Sequence, residues 1–517
     1  MNGAESLVHT LVDADVDVCF TNPGTSEMHF VAALDKVAGM RCVLGLFEGV
    51  VTGAADGYWR MANKPAATLL HLGPGLGNGV ANLHNAKRAR SGIVNIVGEH
   101  ATYHIRHDPP LASDIESIAR PVSDWVRTSA SALDVAADGA CAVSVARSAP
   151  GKIATLILPA DTAWNESAGP AQARAPAPRM AVDAEAIEAA ARALKGGGAK
   201  AALLLGGVGV QGRALEWAGR IAARTGCRLL SEYVNPRNER GAGRVVAKRL
   251  PYAIDAALPV LAGLEQIVLA GARAPVAFFA YPGKPGLLAP AGCGFIGLAR
   301  VEHDIEGALE ALADALDARH TPPAHVAERA APGAPATGMI TNEGIAAVLA
   351  AGLPEHAIVV DESITTGRAF EASTTGAAPH DWLNIMGGAI GFGLPAAMGA
   401  AIAAPDRKVI SLEGDGSGMY TLQALWTMAR ESLDVTVLIF ANRSYKILRG
   451  ELQSVGAGEP GQRATDMLTL DRPDLDWCAL ARGMGVESGR ATTLEELAAQ
   501  LQRGLKSEGP YLIEVVI

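Results

Sequence analysis

The sharpest chemical signal in the chain is an acid and an amide at a set separation. In KVISLEGDGSGMYTLQALWTMARESLDVTVLIFANRSY, Asp415 sits between two glycines, and Asn442 follows Gly416 after 25 intervening residues. The stretch reads as strand, tight turn, helix and second strand, with Asn442 at the second strand's end. Parallel strands present their C-terminal ends along one edge, where open α/β sheets bind ligands. Asp415 and Asn442 would then stand side by side as hard oxygen donors, with the carbonyl of Ser444 as a third. Mg²⁺ takes few protein oxygens and completes its shell with phosphate and water. Gly414 and Gly416 let the backbone approach a phosphate, and the Ser417 amide at the helix start can donate to it. A plain turn with a strand-end cap would account for a lone Gly-Asp-Gly, but not for the whole ordered run.

Three further residue types point to proton chemistry in the first third. Glu48 follows the apolar run RCVLGLF and precedes a helical pattern, GVVTGAADGYWRMANKP. A carboxylate at the end of a buried strand is costly unless it has a partner or a task, and burial would raise its pKa. The plainer reading is a helix cap. His71 ends another apolar run, AATLLHL, just before the glycine-rich GPGLGNG. Imidazole gives and takes protons near neutral pH, although a lone strand-end histidine is more often structural. Ser26 lies in TNPGTSEMHF, and EHATYHIRHD offers His100, His104 and His107. Those three could converge on a metal, but a solvated or substrate-facing loop is the simpler expectation.

These groups need rigid strands behind them. The first third offers RCVLGLF, AATLLHL and GIVNIVG as buried parallel strands, and the second AALLLGG, CRLLSEY, QIVLAGA and PVAFFAY. The last third offers AIVVDES, KVISLEGDG, VTVLIFAN and YLIEVVI. Strands alternating with helices imply parallel sheets with right-handed crossovers. Two Pro- and Ala-rich stretches, Glu166–Arg179 and Arg319–Gly338, read as linkers. They divide the chain into 1–165, 180–318 and 338–517. With 517 residues, 49% of them hydrophobic, there is material for three cores. A net charge of -10 argues against nucleic acid or an anionic membrane as the main partner. No secretory signal or membrane span is visible. The six cysteines are scattered without metal-like spacing, as expected of reduced thiols in a cytoplasmic protein.

The Gly-Asp-Gly to Asn run resembles the signature of thiamine-diphosphate-dependent enzymes. The resemblance covers essentially the whole chain. It is closest overall to acetolactate synthase large subunits, with local features of benzoylformate decarboxylase. It implies three Rossmann-like α/β domains with parallel sheets: a pyrimidine-binding domain, a middle domain and a diphosphate-binding domain. It implies thiamine diphosphate held through Mg²⁺ by Asp415, Asn442 and Ser444. In NIMGGAIGFGLPAAM, Ile390 matches the family's apolar wedge under the cofactor's bend, and the Gly388 carbonyl its contact to the exocyclic amine. In DESITTGR, Thr365 and Thr366 match a diphosphate loop. Glu48 matches the glutamate that activates the pyrimidine ring. Ser26 and His71 match substrate-side residues of benzoylformate decarboxylase, and EHATYHIRHD an active-site loop. The smallest active unit implied is a homodimer, with Glu48 of one subunit facing Asp415 of the next; homotetramers are common in the family.

The departures bear on the reaction. Acetolactate synthases carry a tryptophan soon after the metal-ligating asparagine, whereas NRSYKILRGELQSVG has none and places Gly450 and Glu451 there. Those enzymes also hold FAD, but LLLGGVGVQGRA fits a bare Rossmann-like turn, and no FAD is expected. Benzoylformate decarboxylase uses a second histidine from its middle domain, which the comparable stretch Val276–Tyr281 lacks. The reading is a carboligase or decarboxylase of 2-oxo acids, with carboligation of the acetolactate synthase type placed first and simple decarboxylation second. A non-catalytic cofactor-binding subunit is disfavoured by the intact Glu48, Asp415 and Asn442. An NAD-binding protein is disfavoured because GGVGVQG shows no acidic ribose partner in its expected place.

Overall fold

In the computed structural model, residues 1–331 and 336–517 are described; 332–335, inside the second linker, lie outside the described residues. Six parallel strands form the first sheet: β1 (Val18–Asn22), β2 (Arg41–Leu44), β3 (Ala66–Leu70), β4 (Ile93–Glu99), β5 (Trp125–Thr128) and β6 (Ile153–Pro159), in the order β2-β1-β3-β4-β6-β5. Strands β3, β4 and β6 are buried along their whole length, which is why their sequences are unbroken apolar runs.

The middle third contributes β7 (Ala201–Leu205), β8 (Arg228–Ser231), β9 (Asn238–Arg240), β10 (Lys248–Arg249), β11 (Gln266–Ala270) and β12 (Gly294–Ala299). Five of these make a parallel sheet in the order β10-β8-β7-β11-β12. The sixth, β9, leaves it. The last third contributes β13 (Ile358–Glu362), β14 (His380–Asn384), β15 (Val409–Gly414), β16 (Val435–Ala441), β17 (Glu487–Ala491) and β18 (Tyr511–Val516). Its sheet runs β17-β18-β16-β15-β13-β14-β9, parallel except that β9 pairs antiparallel with β14.

The fold is therefore mixed α/β built on three largely parallel sheets, as the sequence implies. The helix Glu48–Ala62 of the first unit lies against the helix Gly393–Ala403 of the third, and their side chains share one apolar cluster. A methyl group on Gly57 would fall 2.0 Å from the Ala396 carbonyl oxygen, and one on Gly399 1.9 Å from that of Ala54. Only glycine permits that approach. Buried Arg60 pairs with Asp56 at 2.7 Å and donates to the Asn384 carbonyl at 2.7 Å and the Pro236 carbonyl at 3.4 Å. One guanidinium thus joins all three units.

Three expectations change in detail. PVAFFAY is not a strand: Val276 makes only an isolated bridge with Leu287, and Val276, Phe278 and Phe279 are exposed. Its apolar character serves a cluster of Tyr233, Tyr252, Phe278 and Phe279 rings instead. RCVLGLF is a strand only over Arg41–Leu44, at the sheet edge and with Arg41 and Cys42 exposed. The second linker is tied down over its first part. Gly243 donates to the Ala327 carbonyl, Val246 to that of His325, and Ala330 to that of Gly376.

Candidate active site

Strand β1 runs into a short 3-10 turn, Thr25–Glu27, that gathers the first cluster. Glu27, only 3% exposed, was not singled out from sequence, yet it is the hub. Its Oε2 accepts from the Gly24 amide at 2.7 Å and lies 2.9 Å from His71 Nδ1, and its Oε1 accepts from Ser26 Oγ at 2.9 Å. Ser26 Oγ is 3.4 Å from His71 Nδ1. Two glycines make room: a methyl group on Gly98 would meet Glu27 Oε1 at 1.7 Å, and one on Gly24 the His71 ring at 2.3 Å. A carboxylate fixed at Nδ1 selects the tautomer that leaves Nε2 for the cleft. The cleft is about 390 Å³ and is lined by Ser26, His71, His100, His104, Tyr103, Leu111 and Trp164, among others. No residue of the third unit lines it.

Glu48 opens a helix instead of ending a strand, and in the single chain it is half-buried. The strand ends just past Leu44, where the Gly45 amide makes the last ladder bond, to the Thr21 carbonyl. Glu48 Oε2 accepts from Asn78 Nδ2 at 3.0 Å. A methyl group on Gly75 would lie 3.2 Å from Glu48 Oε1 and 3.4 Å from His71 Cβ. That glycine, one turn into the helix after His71, is what the two side chains share. His100, His104 and His107 form no close group of ligand atoms, although successive ring centroids are 5.9 Å and 5.8 Å apart. Among the described residues the single close cluster of His, Cys or acidic ligand atoms is Asp476, Cys478 and Glu514, where Arg490 already binds both carboxylates.

The second cluster lies at the C-terminal ends of β15 and β16. Asp415 is 3% exposed; its Oδ1 accepts from the Gly416 amide at 2.9 Å and its Oδ2 from the Arg443 amide at 2.6 Å. Burial raises its pKa to about 6, while the Arg443 and Gly416 amides pull the other way. Asn442 Oδ1 accepts from the Ser444 amide at 2.9 Å, and Ser444 bridges to Thr469. A buried carboxylate, an amide oxygen and a nearby carbonyl form a hard donor set suited to Mg²⁺. A methyl group on Gly416 would meet the Tyr445 ring at 2.5 Å, and one on Gly414 the buried Ser417 hydroxyl at 3.1 Å. Strand β13 leads to Thr365 and to Thr366, which is buried. Gly388 and Gly391 both have positive φ, at 75° and 91°, and flank Ile390. The first unit holds this bend: Asn82 donates to the Gly391 carbonyl at 3.0 Å, Asn85 to that of Ala389 at 2.7 Å, and His84 Nε2 to that of Gly387 at 3.1 Å. The ring of Phe278, from the PVAFFAY run, comes within 3.1 Å of a methyl position on Gly388.

In the middle unit, Glu232 ends up at the tip of β8, where an acidic ribose partner would stand. Its carboxylate turns inward, accepting from the Arg273 amide at 3.0 Å and filling the space a methyl group on Gly206 would need.

Comparison with known proteins accords with this geometry. Residues 1–118 match the N-terminal TPP-binding domain of thiamine pyrophosphate enzymes, and residues 368–515 the C-terminal TPP-binding domain. The chain is 52% identical over its full length to 99% of a Mycobacterium tuberculosis protein described as "Putative acetolactate synthase large subunit IlvX". It is 33% identical to benzoylformate decarboxylase of Pseudomonas aeruginosa, across 96% of this chain and 95% of that one. A solved structure, the Rhodococcus jostii thiamine diphosphate-dependent 4-hydroxybenzoylformate decarboxylase, superposes with a TM-score of 0.85 at 26% identity, covering 99% of this chain and 98% of the other. The chain belongs to the thiamine-diphosphate-dependent enzymes, a family that decarboxylates 2-oxo acids or joins them to a second carbonyl.

Proposed function

We propose that the chain decarboxylates a 2-oxo acid with a bulky, planar apolar side chain and delivers a proton to the product-forming carbon. The observation that carries this reading is the Glu27–His71–Ser26 cluster facing the cleft. It supports an imidazole that can give and take a proton, with a carboxylate to hold its tautomer. Tyr103, Leu111 and Trp164 supply the apolar walls, and Ser26 with His100 the polar groups suited to a carboxylate.

The cofactor supplies an electron sink for the carbon that loses CO2. Asp415, Asn442 and the Ser444 carbonyl would hold Mg²⁺; Thr365, Thr366 and the Gly414–Ser417 turn would hold the diphosphate. Gly388 and Ile390 would seat the bend, and Glu48 would bond the pyrimidine ring and share its proton. Because the cleft around His71 borrows nothing from the third unit, a second copy of the chain would complete it. We therefore propose a homodimer as the smallest active form, compatible with a homotetramer, working in the cytoplasm without FAD. The purified protein is expected to be colourless, and a stoichiometric flavin spectrum would contradict that. Within domains 1–165, 180–318 and 338–517, the first would bind the pyrimidine and the last the diphosphate.

Carboligation is the second reading, favoured by the 52% identity to the acetolactate synthase-like relative. The deciding experiment incubates the protein, thiamine diphosphate and Mg²⁺ with aliphatic and aryl 2-oxo acids. CO2, aldehyde and hydroxyketone are each measured. Aldehyde matching CO2 supports decarboxylation; hydroxyketone as the main product replaces it with carboligation. His71→Ala should slow turnover roughly 10²-fold, the lower range for acid–base terms, with cofactor affinity unchanged. Melting curves and kinetics on one preparation check this. A lower melting temperature with unchanged turnover per folded molecule would remove His71 from the reaction.

A further inference from the structure

Strands β13 and β15 are neighbours, and their register places Glu362 directly beside Glu413. Both side chains are almost wholly buried, at 1% and 0% exposure. Two like charges side by side on adjacent strands are unfavourable even at a surface. Among the described residues neither carboxyl meets a Lys, Arg or His. Yet the two acids are not equivalent. Glu362 Oε1 accepts from the Gly391 amide at 2.9 Å and its Oε2 from the Gly393 amide at 2.7 Å. Glu413 accepts no hydrogen bond on either oxygen, and its carboxyl fills the space beside Gly393, where a methyl group would meet Oε2 at 2.0 Å. The two amides thus hold the Glu362 carboxylate in place, while Glu413 only fills the space beside it.

We propose that Glu362 is a positioning residue that locks the Gly388–Gly393 bend through the Gly391 and Gly393 amides. Gly391 directly follows Ile390, so the bond at its amide sets where the Ile390 side chain projects. Gly393 opens the helix that packs on Glu48–Ala62, so the same carboxylate ties the bend to the domain contact. The inference rests on the reading of Gly388 and Ile390 as the seat of the cofactor, and it adds Glu362, which acts through the bend rather than on cofactor or substrate.

Three variants test it, with calorimetric thiamine-diphosphate affinity and the near-ultraviolet circular-dichroism band of the bound cofactor as readouts besides activity. Glu362→Gln puts a donor where two amides need acceptors, so affinity should fall at least tenfold and the band should change. Should that variant fail to fold, Glu362→Asp keeps the charge but draws it back by one methylene, and the same changes are expected. Ile390→Ala is the control. If it alters the band while the folded Glu362 variant binds normally, the positioning role is overturned. If Ile390→Ala changes nothing, the reading of the bend fails, and the proposal with it.

Discussion

Glu48→Gln should bind thiamine diphosphate and Mg²⁺ nearly as well as the parent protein and turn over roughly 10²–10⁴-fold more slowly, the span of general acid–base terms. Gln keeps the shape and can still meet Asn78, which now touches Glu48 Oε2 at 3.0 Å. It cannot share a proton with a ring nitrogen. The residue stands at a helix start, half-buried, with Gly75 cleared away beside it, so the substitution creates neither a cavity nor a clash. Pre-steady-state binding and turnover on the same sample check the split. A loss below tenfold would mean that Glu48 does not activate the cofactor.

Asp415→Ala should separate binding from folding. Cofactor affinity in Mg²⁺ is expected to drop by roughly 10²-fold or more, since residues that merely orient a metal ligand are already worth about 10–100-fold. The fold should tolerate the change, because Asp415 satisfies only two backbone amides, Gly416 and Arg443, at the C-terminal rim of the sheet beyond β15 and β16. Calorimetry with and without Mg²⁺ reads the effect. Unchanged affinity in the variant would remove Asp415 from the metal site.

What the sequence revealed of this molecule follows from where each side chain finds its partner. Strands such as Ala66–Leu70 and Val435–Ala441 are buried on both faces, so their apolar runs announce them without outside help. His380–Asn384 hides as a strand because its polar residues are satisfied by distant ones: Asp381 by Arg237 and Arg407, and Trp382 Nε1 by Asp361. The Asp415–Asn442 spacing is legible because both residues ride on adjacent strands of one sheet. Glu27 is not, since its value depends on His71 from another strand end and on the space left by Gly98 on β4. An acid beside Ser26, just after Gly24, stands in TNPGTSEMHF, but spacing alone does not name its partner. PVAFFAY shows the opposite failure: a strand-like composition used for ring-on-ring contacts at an exposed mouth.

The short antiparallel strand β9 sets a boundary that composition does not. It belongs by chain order to the middle unit but finishes the edge of the last sheet, reinforced by Arg237 on Asp381 and Asn238 on Asn384. A fragment begun at 338 would carry the metal and diphosphate loops intact, yet would bare the main-chain groups of His380–Asn384. Open edges of that kind recruit other strands. In excised form, the half of the protein that holds the most recognisable motif would thus be the half prone to stick to itself, and the middle unit doubles as its built-in chaperone.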